Sequence, residues 1–228
     1  MKIIVYTANI GHYDDYNHVY VKDKNVDFIY FTDEDVQLCG WKTKLIEKPH
    51  EDNTKSARYF KCNPHLVLPE HDISVWIDAR FNIKSRNIKS FVSEHFGKKD
   101  KIACYPHLRD IENGCLYIEG FVCGGASLDD EQVILKQLER YNKEGYPRKN
   151  GLFATGIIIR RNNEQVNKFN EIWWNEIQRG SKRDQISQMY AAWKADVKVK
   201  PIEGSVYGNK LVNKKYHIHK QNGSRASI

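Results

Sequence analysis

The strongest constraint on the fold is a set of short apolar runs that end abruptly in polar residues. Residues 3–7 and 28–32 are rich in Ile, Val, Tyr and Phe and close on Thr7 and Thr32. Near-continuous apolar composition marks strands covered on both faces, as in parallel sheets flanked by helices. Residues 72–77 and 152–160 repeat the pattern, and 102–105 is strand-like. Between these runs the period changes. Ala57, Tyr59 and Phe60 give an apolar side to a helix that starts near Lys55, behind a cap from Asn53 or Thr54, and is ended by Pro64. Val133, Ile134, Leu135 and Leu138 recur at helical spacing behind an acidic first turn, Asp129-Asp130, up to about Tyr141. Val166, Phe169, Ile172, Trp173 and Ile177 predict a helix over 165–178. Ile186, Met189, Tyr190 and Trp193 predict another over 184–194, with Asp184 at its positive end.

Strands alternating with helices predict an α/β fold. A loop, Gly11 to Asp15, lies between the first two strands, so the first 35 or so residues look like a nucleotide-binding start. After Lys200-Pro201 the pattern weakens, and residues 221–228 have no periodicity. The expected organisation is one domain over 1–220 with a polar tail or linker over 221–228, without internal repeats.

Composition narrows the class. The chain has 228 residues, enough for a core that still carries a cleft. Its 5 Trp, 13 Tyr and 9 Phe are at odds with disorder. No apolar run approaches the ~20 residues that span a bilayer, so no membrane span is expected. No leader pattern precedes the first strand, and Cys39, Cys62, Cys104, Cys115 and Cys123 show neither CxxC nor metal spacing. These features predict a cytoplasmic protein with reduced thiols. The net charge of +7 points to acidic partners without choosing between nucleic acid, anionic lipid and the phosphates of a small substrate.

One strand ends in a reactive group. Trp76-Ile77-Asp78 delivers a carboxylate to the carboxyl end of a strand, where open α/β sheets bind ligands. Asp78 can hold a divalent cation against a diphosphate, or it can cap a turn or pair with Arg80. Lys55 and Arg58 lie one helical turn apart on one face, suited either to phosphates or to solvent.

Several segments, in this order, resemble a family of GT-A glycosyltransferase-like domains found in bacterial polysaccharide clusters and plant Golgi proteins. They are residues 4–14, Tyr30-Phe31-Thr32-Asp33, residues 55–61, Pro64-His65, Trp76-Ile77-Asp78-Ala79, His107-Leu108-Arg109 and residues 183–187. Together they span residues 4 to about 190. The resemblance implies a single GT-A (Rossmann-like) domain with a central, mostly parallel mixed sheet flanked by helices. It implies a nucleoside-diphosphate-sugar donor, with UDP-sugar favoured, and a glycan or glycoprotein acceptor. The expected activity is that of a hexosyl- or deoxyhexosyltransferase.

The resemblance assigns roles residue by residue. Thr7, Ala8, Asn9, Gly11 and Tyr13 would wrap the nucleoside, and Thr32 and Asp33 would touch base or ribose. Lys55, Arg58 and Arg80 would meet the phosphates. The usual Asp-x-Asp of such enzymes is here Asp78-Ala79-Arg80, so the second carboxylate is missing. Asp78 would bind Mn²⁺ or Mg²⁺ with help from His217 or His219, or Arg80 would replace part of the metal's charge. Asp184, with Gln185, is the acid–base candidate; the alternative is Asp184 as the cap of its helix, and the two roles can coexist. His107 and Arg109, together with Asp110 or Glu112, would line the acceptor side.

Two rival readings are a basic nucleic-acid binder and a GT-A domain that binds sugar nucleotides without turnover. No nucleic-acid motif is present, so nucleic acid is not an expected partner. The missing second Asp is what prompts the idle reading. The sequence sets no oligomeric state.

Overall fold

A computed structural model describes residues 1–20, 23, 26–108 and 114–214. Seven strands form the main sheet: β1 (Ile3–Asn9), β2 (Val26–Thr32), β3 (Lys42–Leu45), β4 (Ile73–Ile77), β6 (Ile102–Pro106), β7 (Phe153–Arg161) and β8 (Val199–Pro201). Two short strands, β5 (Phe81–Ile83) and β9 (Val212–Lys214), pair separately. The main order is β3-β2-β1-β4-β7-β6-β8. Only β7 runs against the rest, antiparallel to β4 on one side and β6 on the other. The carboxyl ends of β1, β2, β4 and β6 therefore meet at one edge, beside the start of β7. The mostly parallel α/β sheet implied by the resemblance is what the chain forms.

Alternate residues of each central strand feed two cores. Ile4, Tyr6, Trp76 and Ile158 face the layer made by α1 (Asn53–Cys62), α4 (Leu116–Gly125), α5 (Glu131–Lys143), α6 (Glu164–Arg179) and α7 (Asp184–Lys194). Ile3, Val5, Val75 and Ile157 face α3 (Ile88–His95), the β5–β9 pair and Trp41. Burial on both faces explains why these strands are apolar throughout rather than alternating.

Helix starts follow their caps. Asp130 and Asn163 accept from Val133 N and Val166 N at α5 and α6. At α1 the cap is Asp52, which accepts from Lys55 N, so Asn53 and Thr54 lie inside the helix and not at its cap. A carboxylate one residue earlier takes the free amide and sits at the positive end of the dipole. A short helix, α2 (Pro64–Val67), follows at once, with Pro64 where a missing N–H costs nothing. Among the described residues no helix is long and apolar enough to cross a membrane.

Three elements escape periodicity. The helix α4 carries apolar residues nearly all round, with Gly120, Gly124 and Gly125 inside it, and gives no amphipathic signal. The helix α3 is eight residues long, and the β5–β9 pair joins segments some 130 positions apart.

Candidate functional site

The floor of the site is built where side chains from α1, the residue after β4 and the start of α7 meet. Arg58 and Lys61 are one turn apart on α1, and both project toward the carboxylates of Asp78 and Asp184. Lys61 Nζ donates to Asp78 Oδ1 at 3.2 Å and lies 2.5 Å from Asp184 Oδ2. Arg58 Nε is 3.2 Å from the same Asp184 oxygen. Arg80 Nη2 lies 3.5 Å from Asp78 Oδ2. One ammonium and two guanidiniums thus surround two carboxylates.

Exposure separates rim from floor. Lys61 is fully buried and the Asp184 side chain is 3% exposed, whereas Asp78 and Arg58 are 17% and Arg80 31% exposed. Arg58, Arg80 and Asp78 are the members of the cluster that reach solvent. Lys61 and Asp184 lie beneath them.

The strand places Asp78 rigidly. Trp76 Nε1 donates to Asp78 Oδ1 at 2.7 Å, and Asp78 N donates to Gly156 O at 2.9 Å. Asn17 Nδ2 donates to Ala79 O and Phe81 O, each at 2.8 Å, so the loop after β1 clamps the turn that carries Arg80. The Arg80 guanidinium stacks over Phe81 and Tyr207 at 5.0 and 5.7 Å. Its planar fork is held between these rings and the Asp78 carboxylate.

Gly156 gives the carboxylate its room. A Cβ there would lie 2.9 Å from the Phe81 ring, 3.3 Å from Val206 and 3.4 Å from Asp78 Oδ2. We expect Gly156→Ala to destabilise the fold by about 1–2 kcal/mol through overpacking. Because Phe81 carries Arg80, phosphate binding should weaken as well. Chemical denaturation together with nucleotide titration checks both effects, and an unchanged nucleotide affinity would count against the coupling.

Asp184 is the first residue of α7, held by its helix and its partners. Trp173 Nε1 donates to its carbonyl at 3.0 Å. The cap position belongs to Arg183, which makes no side-chain cap bond, so the carboxylate of Asp184 is turned to the cation cluster and does not cap the helix. Burial pushes its carboxyl up, yet Arg58, Lys61 and Arg183 outweigh that and hold it far below the usual carboxylate range. Asp78 is lowered in the same way, with Lys61, Arg80 and Arg58 overcoming burial. Both groups are therefore ionised and weakly basic, which suits the stabilisation of positive charge better than proton abstraction.

The depressed carboxyls fix an acid limb of stability. A group lowered on folding contributes stability that is fully present above its ordinary value, 3.8 here, and is lost as the pH falls toward the folded value. Wild type is thus expected to lose stability below about pH 4. The gap between wild type and Asp184→Asn should narrow across that range in denaturant melts. A gap constant with pH would contradict the pairing.

The nucleoside-side candidates stitch loops together. Asn9 donates to Asp14 O and accepts from Asp14 N, at 2.5 and 3.1 Å, closing the loop that holds Gly11. Gly11 has φ +67°, and its N–H donates to Asp33 Oδ1 at 2.8 Å. A Cβ on Gly11 would fall 2.0 Å from Asn53 Nδ2, so a larger residue would displace that side chain and strain a left-handed backbone. Lys48 Nζ lies 3.3 Å from Asp33 Oδ2 and donates to Asn53 Oδ1 at 3.0 Å. Thr7 and Ala8 are buried in β1, and the Thr32 hydroxyl accepts from Glu34 N. Tyr13 is half exposed beside this cluster.

Other candidates lie elsewhere. Lys55 reaches away from the carboxylates, donating to Gln178 O at 3.0 Å at the end of α6. Gln185 follows Asp184 in α7 and is part-buried. His107 sits one residue past β6, at the carboxyl edge of the parallel strands, with its backbone N–H on Leu152 O. Arg109, Asp110, Glu112, His217 and His219 lie outside the described residues. Lys61 and Asn17 carry the site and were not singled out in the sequence.

As a donor set for Mn²⁺ or Mg²⁺ these residues fit poorly. Such ions need several oxygen lone pairs converging on one point. Asp78 Oδ1 already accepts from Trp76 and Lys61, its Oδ2 faces Arg80, and Asp184 Oδ2 faces Lys61 and Arg58. Among the described residues no group of three or more His, Cys, Asp or Glu converges as a metal site.

Comparison with known proteins adds the family. Among solved structures the apo form of mouse xyloside xylosyltransferase 1 is similar, at 9% identity over 88% of this chain and 84% of that one, with a TM-score of 0.47. No curated protein matches the chain. A family model described as TOD1/MUCI70, glycosyltransferase-like domain, matches residues 12–217, which takes in the whole cation–carboxylate cluster. The chain therefore belongs to the TOD1/MUCI70 glycosyltransferase-like domain family.

Proposed function

We propose that the chain is a glycosyltransferase that moves a hexosyl or deoxyhexosyl group from a nucleoside-diphosphate sugar, UDP-sugar first, to a hydroxyl of a glycan or glycoprotein. The observation that supports this most is the pair of partly exposed guanidiniums, Arg58 on Asp184 and Arg80 on Asp78, at the carboxyl edge of the sheet. In the reaction the bond from the anomeric carbon to the β-phosphate oxygen breaks and a bond to the acceptor oxygen forms. The acceptor's proton passes to solvent water, and the nucleoside diphosphate leaves with the electron pair. Charge that builds on the diphosphate is met by the two forks, which bind phosphate oxygens bidentately. Positive charge that builds on the sugar is met by the ionised carboxylates of Asp78 and Asp184.

The nucleoside is placed over Gly11 to Tyr13 and beside Asp33, and the acceptor on the His107 side. The test is to incubate the protein with a panel of nucleotide sugars and candidate oligosaccharides and to measure released nucleotide and glycosylated product. Binding of a donor without release from any of them would instead favour an idle binding domain. Arg80→Gln is expected to lower kcat/KM by about 100-fold, the scale of one lost charge-stabilising donor. A change under about threefold would remove Arg80 from the donor site.

A further inference from the structure

We propose that Lys61 is a built-in cation: its ammonium fills the place a divalent ion would need between Asp78 and Asp184, so nucleoside diphosphate binds through Arg58 and Arg80 without metal. The nucleotide half of this rests on the donor reading above. The Lys61 half rests on the site's geometry.

Lys61 Nζ touches both carboxylates, at 3.2 and 2.5 Å, from a side chain with no solvent exposure. It also lies 5.4 Å from the centre of the Trp76 ring, whose Nε1 binds the same Asp78 oxygen. A hard dication between the two carboxylates would share their oxygens with an ammonium a few ångströms away, and like charges in a buried site repel strongly.

The position of Lys61 is fixed from behind. Its carbonyl accepts from Arg160 Nη2 at 2.5 Å and from Tyr6 OH at 3.0 Å, and Arg160 in turn donates to Asn170 Oδ1 at 2.7 Å. Arg160, Tyr6 and Asn170 are all buried. The backbone from which the lysine side chain springs is therefore anchored in a core network.

The charge balance leads to the same conclusion. Three cations, Arg58, Lys61 and Arg80, surround two carboxylates, so the cluster keeps an excess positive charge for a diphosphate. Neutralising the leaving diphosphate is the service a metal otherwise renders. Arg80 in the sequence position of the usual second carboxylate then reverses the sign of that ligand, from metal-binding to phosphate-binding.

The experiment has two arms. In the first, UDP is titrated into wild type by calorimetry, in EDTA and in millimolar MnCl₂. The affinities should agree within about twofold, and Arg80→Gln should weaken both by about tenfold or more. In the second, Mn²⁺ is titrated into nucleotide-free protein and the free-ion electron paramagnetic resonance signal is followed. Wild type should take up none, and Lys61→Met, with the ammonium between the two carboxylates gone, should take up about one equivalent. Stoichiometric uptake by wild type, a tenfold loss of UDP affinity in EDTA, or a folded Lys61→Met with no gain in uptake would each overturn the proposal. Should Lys61→Met not fold, the wild-type arms decide alone. If UDP binds in neither buffer, the donor reading fails, while the Mn²⁺ arm still decides the role of Lys61.

Discussion

Lys61→Met is expected to lower the melting temperature by about 10 °C, the largest stability effect of any single change in the site. Methionine keeps most of the volume and the unbranched stem, so little of the loss would come from packing. What disappears is the one ammonium shared by Asp78 and Asp184, both of which the fold holds ionised. Removing one partner from a buried ion pair costs about 3–5 kcal/mol, because the remaining charge is left in a poor solvent. Arg58 and Arg80 stay to share the load, which keeps the estimate within that range. Lys61→Met combined with Asp184→Asn should recover about 1–2 kcal/mol relative to Lys61→Met alone, since one stranded charge is gone. Thermal melts of the three variants at neutral pH test this. A fall of less than about 2 °C for Lys61→Met would mean that its ammonium does not balance these carboxylates.

The cost of losing Lys61 bears on how the site is read from a sequence. Asp78 was legible as a candidate because a carboxylate closing an apolar strand sits where ligands bind in open α/β sheets. Asp184 was legible as an acidic residue opening a periodic helix, although its side chain turns to Arg58 and Lys61 and not to its own helix end. Lys61 was not legible. Lys55, Arg58 and Lys61 follow one another at three-residue spacing, and a sequence cannot say which of three cations on one flank faces inward. Packing decides it: α1 lies over β1 and against α6, so its last turn is buried while Lys55, two turns earlier, reaches Gln178.

The fold was legible to a similar depth. Strands covered on both faces announce themselves through composition, and α5, α6 and α7 through amphipathic period, so these elements fall within a few residues of expectation. The helix α4 is apolar nearly all round and interrupted by glycine, and it carries no period to read. The clamp from Asn17 to Ala79 and Phe81 joins residues more than sixty positions apart through backbone carbonyls. No side-chain pattern at residues 79–81 advertises such a bond.

Asp184→Asn should lower kcat by about 100-fold while leaving UDP affinity unchanged or tightening it. Asparagine is isosteric, so Trp173 keeps its bond to the residue 184 carbonyl and α7 keeps its start. The variant removes a negative charge from the cluster proposed to bind a diphosphate, and that alone would favour UDP. Turnover should move the other way, because the carboxylate beneath the rim is one of two anions able to offset positive charge on the sugar as its bond to phosphate breaks. A general base would behave differently. Arg58 and Lys61 hold Asp184 ionised well into acid, so it cannot impose an acid limb on kcat near neutrality. The wild-type profile should therefore show no limb owed to Asp184 between about pH 5 and 7. An acid limb in that range that vanishes in Asp184→Asn would make Asp184 the proton acceptor and sink the electrostatic role. A kcat within about threefold of wild type, with UDP affinity also unchanged, would reduce Asp184 to a structural partner of Lys61.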